Sequence, residues 1–211
     1  MSHPGMVMGV GAPAAHGAIE ESPFGIQSKK LAMWLFIMAD AATFGAILFA
    51  YGYVRVGSPD WTRPFAASSI VNGVVMTAIL LTSSLTMLGG VAAAQAGRTS
   101  AALRWMSATI LLGLAFAGLH LREWAAMIHE GWSPSHNPLG GPALFGATFF
   151  GITGMHLLHV ISGAIAISVV AAMFGRGRLN AGHVETVGLY WHFVDLVWMF
   201  VFPLVYLMNA R

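Results

Sequence analysis

His192 and Asp195 stand inside the apolar run Tyr190–Phe200, three residues apart and therefore on one face of a helix. An imidazole and a carboxyl at that spacing can share a proton, hydrogen-bond a neighbouring helix or ligate a metal. His156 and His159 repeat the spacing in a second apolar run, and Asp40 and Glu123 lie in two others. Charge in hydrocarbon is costly, so each of these groups is a functional candidate by default. Asp40 follows Lys30 by ten residues, roughly 15 Å along a helix, and its own helix offers no basic partner within one turn. It must be protonated, paired with another helix or reached by water. A proton-linked role and a buried structural hydrogen bond both remain open.

Metal chemistry is more restricted. A di-iron carboxylate bundle needs Glu-x-x-His on two helices, and the sequence contains none. Cysteine is absent, which removes thiolate sites, disulfides and cysteine nucleophiles. A haem could be held by two histidines on facing helices, with His156 or His159 opposite His192; hydrogen bonds between helices are the alternative use of the same side chains. Glu123 adjoins Arg122 and follows His120 by three residues. Neighbours on a helix diverge, so Glu123 is expected to bond another helix while Arg122 snorkels to the interface. Glu185 opens the last apolar run, with His183 just before it. There is no phosphate loop, Ser/His/Asp nucleophile set or ion-filter pattern.

The elements that must position these residues follow from composition. Of 211 residues 57% are hydrophobic and 9% charged, with a mean hydropathy of +0.72; soluble domains carry about a quarter charged residues. A net charge of +2 gives no reason to invoke a nucleic-acid partner. A membrane-spanning helix needs about 20 apolar residues. Five runs qualify, at about 31–54, 68–94, 103–128, 143–174 and 184–207, so the fold class is an all-α integral membrane bundle. Residues 1–28, rich in Gly, Ala, Pro and His and including His3 and His16, are expected to be a flexible tail rather than a signal peptide; 29–211 form the membrane domain.

Connectors carry turn chemistry: Gly57-Ser58-Pro59-Asp60 with Arg63-Pro64, Gly97-Arg98-Thr99-Ser100, Gly131 through Pro142, and Gly175-Arg176-Gly177-Arg178. Ser100 is the expected cap of the third helix. With the N-terminus inside, the inner ends hold Lys29, Lys30, Arg98, Arg104, Arg176 and Arg178, against Arg55, Arg63, Arg122 and Arg211 outside. That bias predicts N-in, C-out. Gly113, Gly118, Gly151, Gly154 and Gly163, with Thr82-Ser83-Ser84, are expected to let helices approach closely.

Two long segments resemble subunit III of the haem–copper respiratory oxidases: Phe149-Phe150-Gly151-Ile152-Thr153-Gly154-Met155-His156-Leu157-Leu158-His159-Val160-Ile161-Ser162-Gly163, and Glu185 with Tyr190-Trp191-His192-Phe193-Val194-Asp195 and Trp198. Trp34-Leu35-Phe36-Ile37 before Asp40, Asn72 with Leu80-Leu81-Thr82-Ser83-Ser84, and Glu123-Trp124 extend the resemblance from about 34 to 206. Three features depart from the common pattern. Asp40 stands where many cytochrome c oxidase members have Glu and quinol oxidase members commonly have Asp. His120 stands where Gln is frequent. Five spans replace seven, as in a short bacterial form.

The resemblance implies a subunit that carries no haem or copper itself, those belonging to partner subunits I and II. It implies packing beside subunit I, phospholipids held in a cleft that splits the helix bundle, and support of assembly, proton uptake and turnover stability in a bacterial inner membrane. Asp40 would lie by the cleft. Glu123, His156, His159, Glu185, His192 and Asp195 would form a structural polar network, with none of them catalytic. A small subunit IV or a larger respiratory supercomplex could complete the assembly. The alternatives are a subunit III-like partner of a nitric oxide reductase or other respiratory complex, and an independent haem-b anchor or transporter.

Overall fold

The computed structural model describes residues 28–140 and 143–210. The expected tail, with His3 and His16, lies outside the described residues except for Ser28, which already opens a helix; Gly141, Pro142 and Arg211 lie outside them too. Five helices follow in order: α1 (Ser28–Val56), α2 (Ala67–Gln95), α3 (Thr99–His129), α4 (Leu144–Gly175) and α5 (Ala181–Val201). All five elements are long and apolar enough to cross a membrane, α5 through its continuation to Asn209. The five-span all-α expectation holds. At 29 to 32 residues, α1 to α4 are roughly 44–48 Å long and overrun a hydrocarbon core of about 30 Å.

The C-terminal ends of α2 and α4 obey local chemistry. Gly97 (φ 71°) and Gly177 (φ 68°) adopt the left-handed conformation that closes α2 and α4. Beyond them Arg98 N donates to Ala93 O at 2.9 Å and Arg178 N to Met173 O at 3.0 Å, the six-to-one bond of a glycine-terminated helix. Ser100 is not a cap. The helix starts one residue earlier, at Thr99, with Arg98 at the cap position and no side-chain cap bond. The last span is also not one continuous α-helix: after Val201 it widens into a π turn, Phe202–Tyr206, and tightens into a 3₁₀ turn, Leu207–Asn209. Pro203 supplies the reason, since it has no N–H to continue the i to i−4 ladder.

Helices α2, α3, α4 and α5 close into a ring, each packed on the next, and α1 rests outside against α5 and α4. Only Ile37, Phe44 and Tyr51 of α1 are buried, a seam of one residue every seven. Small residues build the ring as expected, though not all of them. A Cβ added to Gly113 would lie 2.6 Å from Trp191, and one at Gly163 2.9 Å from the same indole. Gly118 and Gly151 meet nothing within 4 Å and face away from the packed interior.

The chain end ties α1 down. Asn209, fully buried, donates Nδ2 to Tyr51 Oη at 2.7 Å and accepts Trp61 Nε1 at 2.8 Å, while Tyr51 donates to Leu204 O at 2.9 Å. Arg55 adds a bond to Met208 O. Asn209→Ala would strand the Trp61 N–H and empty the amide's place. The expected loss is about 2 kcal/mol, read as a lower thermal midpoint of the purified assembly. An unchanged midpoint would deny the clamp.

Candidate functional site

Asp40, near the middle of α1, meets His159 of α4: Oδ2 lies 3.2 Å from Nε2, with the carboxylate side chain 12% and the imidazole 19% exposed. His159 Nδ1 is 2.6 Å from Met155 O. A carbonyl can only accept, so Nδ1 carries the hydrogen, and a neutral ring then turns a bare Nε2 toward Asp40. A bare nitrogen and a carboxylate oxygen repel at 3.2 Å. A proton held by either group would turn that contact into an attraction. The approach is oblique, because Oδ2 has no aligned hydrogen bond among the described residues. The attraction is therefore electrostatic first.

Aromatic side chains enclose the pair. Phe44 sets its edge to the His159 ring at a centroid distance of 5.0 Å, and Phe36 packs on Tyr190 at 5.9 Å. Tyr190 and Ser162 share a hydroxyl bond of 2.9 Å beside the His159 backbone. Toward the start of α1, Lys30 binds Glu185 at 2.6 Å and Lys29 meets His183 at 3.1 Å. Beyond Phe44 a groove of about 250 Å³ runs between α1 (Ala41, Gly45, Leu48) and α5 (Phe193, Leu196, Phe200), its walls almost wholly apolar.

The other sequence candidates separate into distinct clusters. His156 and His159 do not act as a pair: three residues turn a helix by about 300°, and the remaining 60° is enough to aim one at α1 and the other into the ring. His156 stacks on Trp198 at 5.1 Å. His192 reaches Ser84 of α2, whose Oγ lies 2.8 Å from its Nδ1, and Asp195 is buried one turn further along α5. Glu123 accepts Asn72 Nδ2 at 2.8 Å, and exposed Arg122 donates to the same Asn72 at 3.2 Å. Asn72 thus bridges two helix neighbours that point apart. The three histidines considered as haem ligands are directed to three different sets of partners. Among the described residues no three His, Asp or Glu side chains gather at ligating distance.

Known proteins carry the same pattern. A sequence profile described as cytochrome c oxidase subunit III matches residues 20–210. A Pseudomonas aeruginosa protein named cytochrome bo(3) ubiquinol oxidase subunit 3 is 34% identical over 84% of this chain and 83% of its own length. The cytochrome c oxidase subunit 3 of Alkalihalophilus pseudofirmus is 32% identical over 87% and 88%. This chain belongs to the cytochrome c oxidase subunit III family. It is thus subunit III of a haem–copper oxidase and shares its complex with other oxidase subunits. Its relatives include both quinol and cytochrome c oxidases, so membership does not name the electron donor. An Aeropyrum pernix relative named heme-copper oxidase subunit I+III is 30% identical over 95% of this chain, which matches 25% of that longer protein.

For this subunit III, sequence reading missed the supporting residues more than the charged ones. Tyr51, Trp61 and Asn209 have partners about 150 residues away in the chain, and nothing in their local pattern signals them. Ser84 and Asn72 had one available signal, a polar residue on an apolar helix.

Proposed function

We propose that this chain is the non-catalytic accessory subunit of a proton-pumping terminal oxidase in a bacterial cytoplasmic membrane, with Asp40–His159 as a proton-holding pair beside bound lipid. It packs beside subunits I and II, which hold the haems and copper, and sustains proton uptake and turnover stability. The observation that carries this reading is the pair itself: an intramembrane carboxyl and an imidazole 3.2 Å apart, with the far ring nitrogen already committed to a carbonyl. Such a pair is electrically neutral with one proton, which suits a lipid-facing slot, and either member can take the proton.

The apolar groove that starts at Phe44 fits a lipid acyl chain and would hold it against the pair. The name of the Aeropyrum relative joins subunits I and III in one protein, which supports side-by-side packing here. Lys29, Lys30, Arg98, Arg104, Arg176 and Arg178 gather at one end of the bundle and support N-in, C-out. Glu123, His156, Glu185, His192 and Asp195 serve helix packing.

Purification through a tag on this chain should bring down subunits I and II, with haem in the reduced-minus-oxidised spectrum. A lone colourless chain would refute the assembly. Asp40→Ala should leave haem and copper content unchanged while cutting the number of turnovers before inactivation several-fold and lowering bound phospholipid. Loss of haem or copper, or wild-type lifetime together with wild-type lipid content, would refute the role given to the pair.

A further inference from the structure

We propose that His120, His156 and Tyr206 bind a small cluster of buried water inside the α3–α4–α5 part of the ring. The proposal goes beyond the accessory role above and does not depend on it. All three residues are fully buried, and neither nitrogen of either imidazole, nor the tyrosine hydroxyl, has a hydrogen-bond partner among the described residues.

The two rings lie in one box. Phe116 stacks on His120 (5.7 Å, 19°) and turns its edge to His156 (5.7 Å, 86°). Trp198 does the reverse, stacking on His156 (5.1 Å, 30°) and standing edge-on to His120 (5.8 Å, 81°). Tyr206 closes the box against Trp198 at 5.9 Å.

Chemistry selects the occupant. A neutral imidazole presents one donor and one acceptor, and a phenol presents both. Two imidazoles and one phenol thus gather unmet donors and acceptors in similar number. A buried unmet group costs about as much as a lost hydrogen bond, and native interiors rarely concentrate five at one place. A cation would satisfy only the acceptors, and no third His, Asp or Glu is at ligating distance among the described residues. A direct bond between the rings would leave the other two nitrogens and the hydroxyl unmet. Water offers both functions in the smallest volume. At about three hydrogen bonds each, roughly two waters meet the five atoms.

Glu123 marks the way in. It lies one turn from His120 toward the end of α3, bonded to Asn72, which exposed Arg122 also holds. Arg122, Asn72 and Glu123 thus form a polar chain that ends one helical turn from His120. His159 follows His156 by three residues on α4, so the water would stand one helix away from the Asp40–His159 pair.

The test is X-ray hydroxyl-radical footprinting of the whole oxidase complex, read by mass spectrometry. Radicals made from bound water oxidise adjacent side chains even where bulk solvent has no access. Trp198 and Tyr206 should be oxidised several-fold faster than Trp191, which is equally buried and gives its Nε1 directly to Ser83. Rates no higher than that of Trp191 would overturn the proposal. The double variant His120→Leu/His156→Leu should bring Trp198 down to the Trp191 rate; Trp198 oxidation unchanged in an assembled variant would overturn it too. If that variant fails to assemble, the wild-type ratio decides alone.

Discussion

His159→Leu will destabilise the assembled subunit by about 2–3 kcal/mol, Asp40→Leu by less than about 1, and the double variant will recover most of the larger loss. The asymmetry follows from where the proton sits. Without Asp40, the imidazole keeps its Nδ1 bond to Met155 O and turns only a bare acceptor toward a partly open slot. Without His159, the carboxyl loses its one close charged or donor partner among the described residues. Lys30 is no substitute, being ten residues away along α1 and already held by Glu185 at 2.6 Å. Asp40 must then stay charged in a low-dielectric place or take up a proton of its own. Thermal denaturation in lipid nanodiscs measures the three variants. Equal losses in the two single variants, with no recovery in the double, would mean that the residues do not share a proton and only pack.

The sequence was most legible where burial depth alone restricts chemistry. Its depth and the absence of a basic neighbour left Asp40 three choices, a proton of its own, a partner on another helix or water, and His159 is a neighbour of the second kind. Which of two histidines it would be was not legible. His156 and His159 carry the same local pattern, and only the placement of α1 outside the ring tells them apart. Spans were readable because hydrocarbon demands length and apolarity, whereas helix ends beyond the hydrocarbon were not, as Ser100 shows. The π turn was foreshadowed by Pro203, but an apolar run hides it. Asn209 illustrates the general limit: its partners Tyr51 and Trp61 lie about 150 residues away, and no periodicity in a single helix encodes a contact between chain ends.

Trp191→Ala will be the most damaging single change in the ring, at about 3–5 kcal/mol, in practice a failure to assemble. Within a membrane, apolar surface gains little by leaving lipid, so the loss comes from the cavity and from the donor lost to Ser83 Oγ, whose own O–H still bonds Leu80 O at 2.7 Å, rather than from transfer out of water. Trp191 is 1% exposed, lies between Gly113 of α3 and Gly163 of α4, and donates Nε1 to Ser83 of α2 at 3.0 Å. One α5 side chain thus holds three neighbouring helices. Trp191→Phe keeps much of the ring and gives up the hydrogen bond, for about 1 kcal/mol beyond the lost volume. The facing glycines supply the complementary test. Gly113→Ala puts a methyl 2.6 Å from the indole and Gly163→Ala one at 2.9 Å, so each should cost about 1–3 kcal/mol by overpacking, with Gly113→Ala the worse. Gly118→Ala and Gly151→Ala meet nothing within 4 Å and should leave the thermal midpoint of the isolated subunit unchanged. If those two instead weaken only the complex with other oxidase subunits, the open glycine faces are where a partner helix comes close.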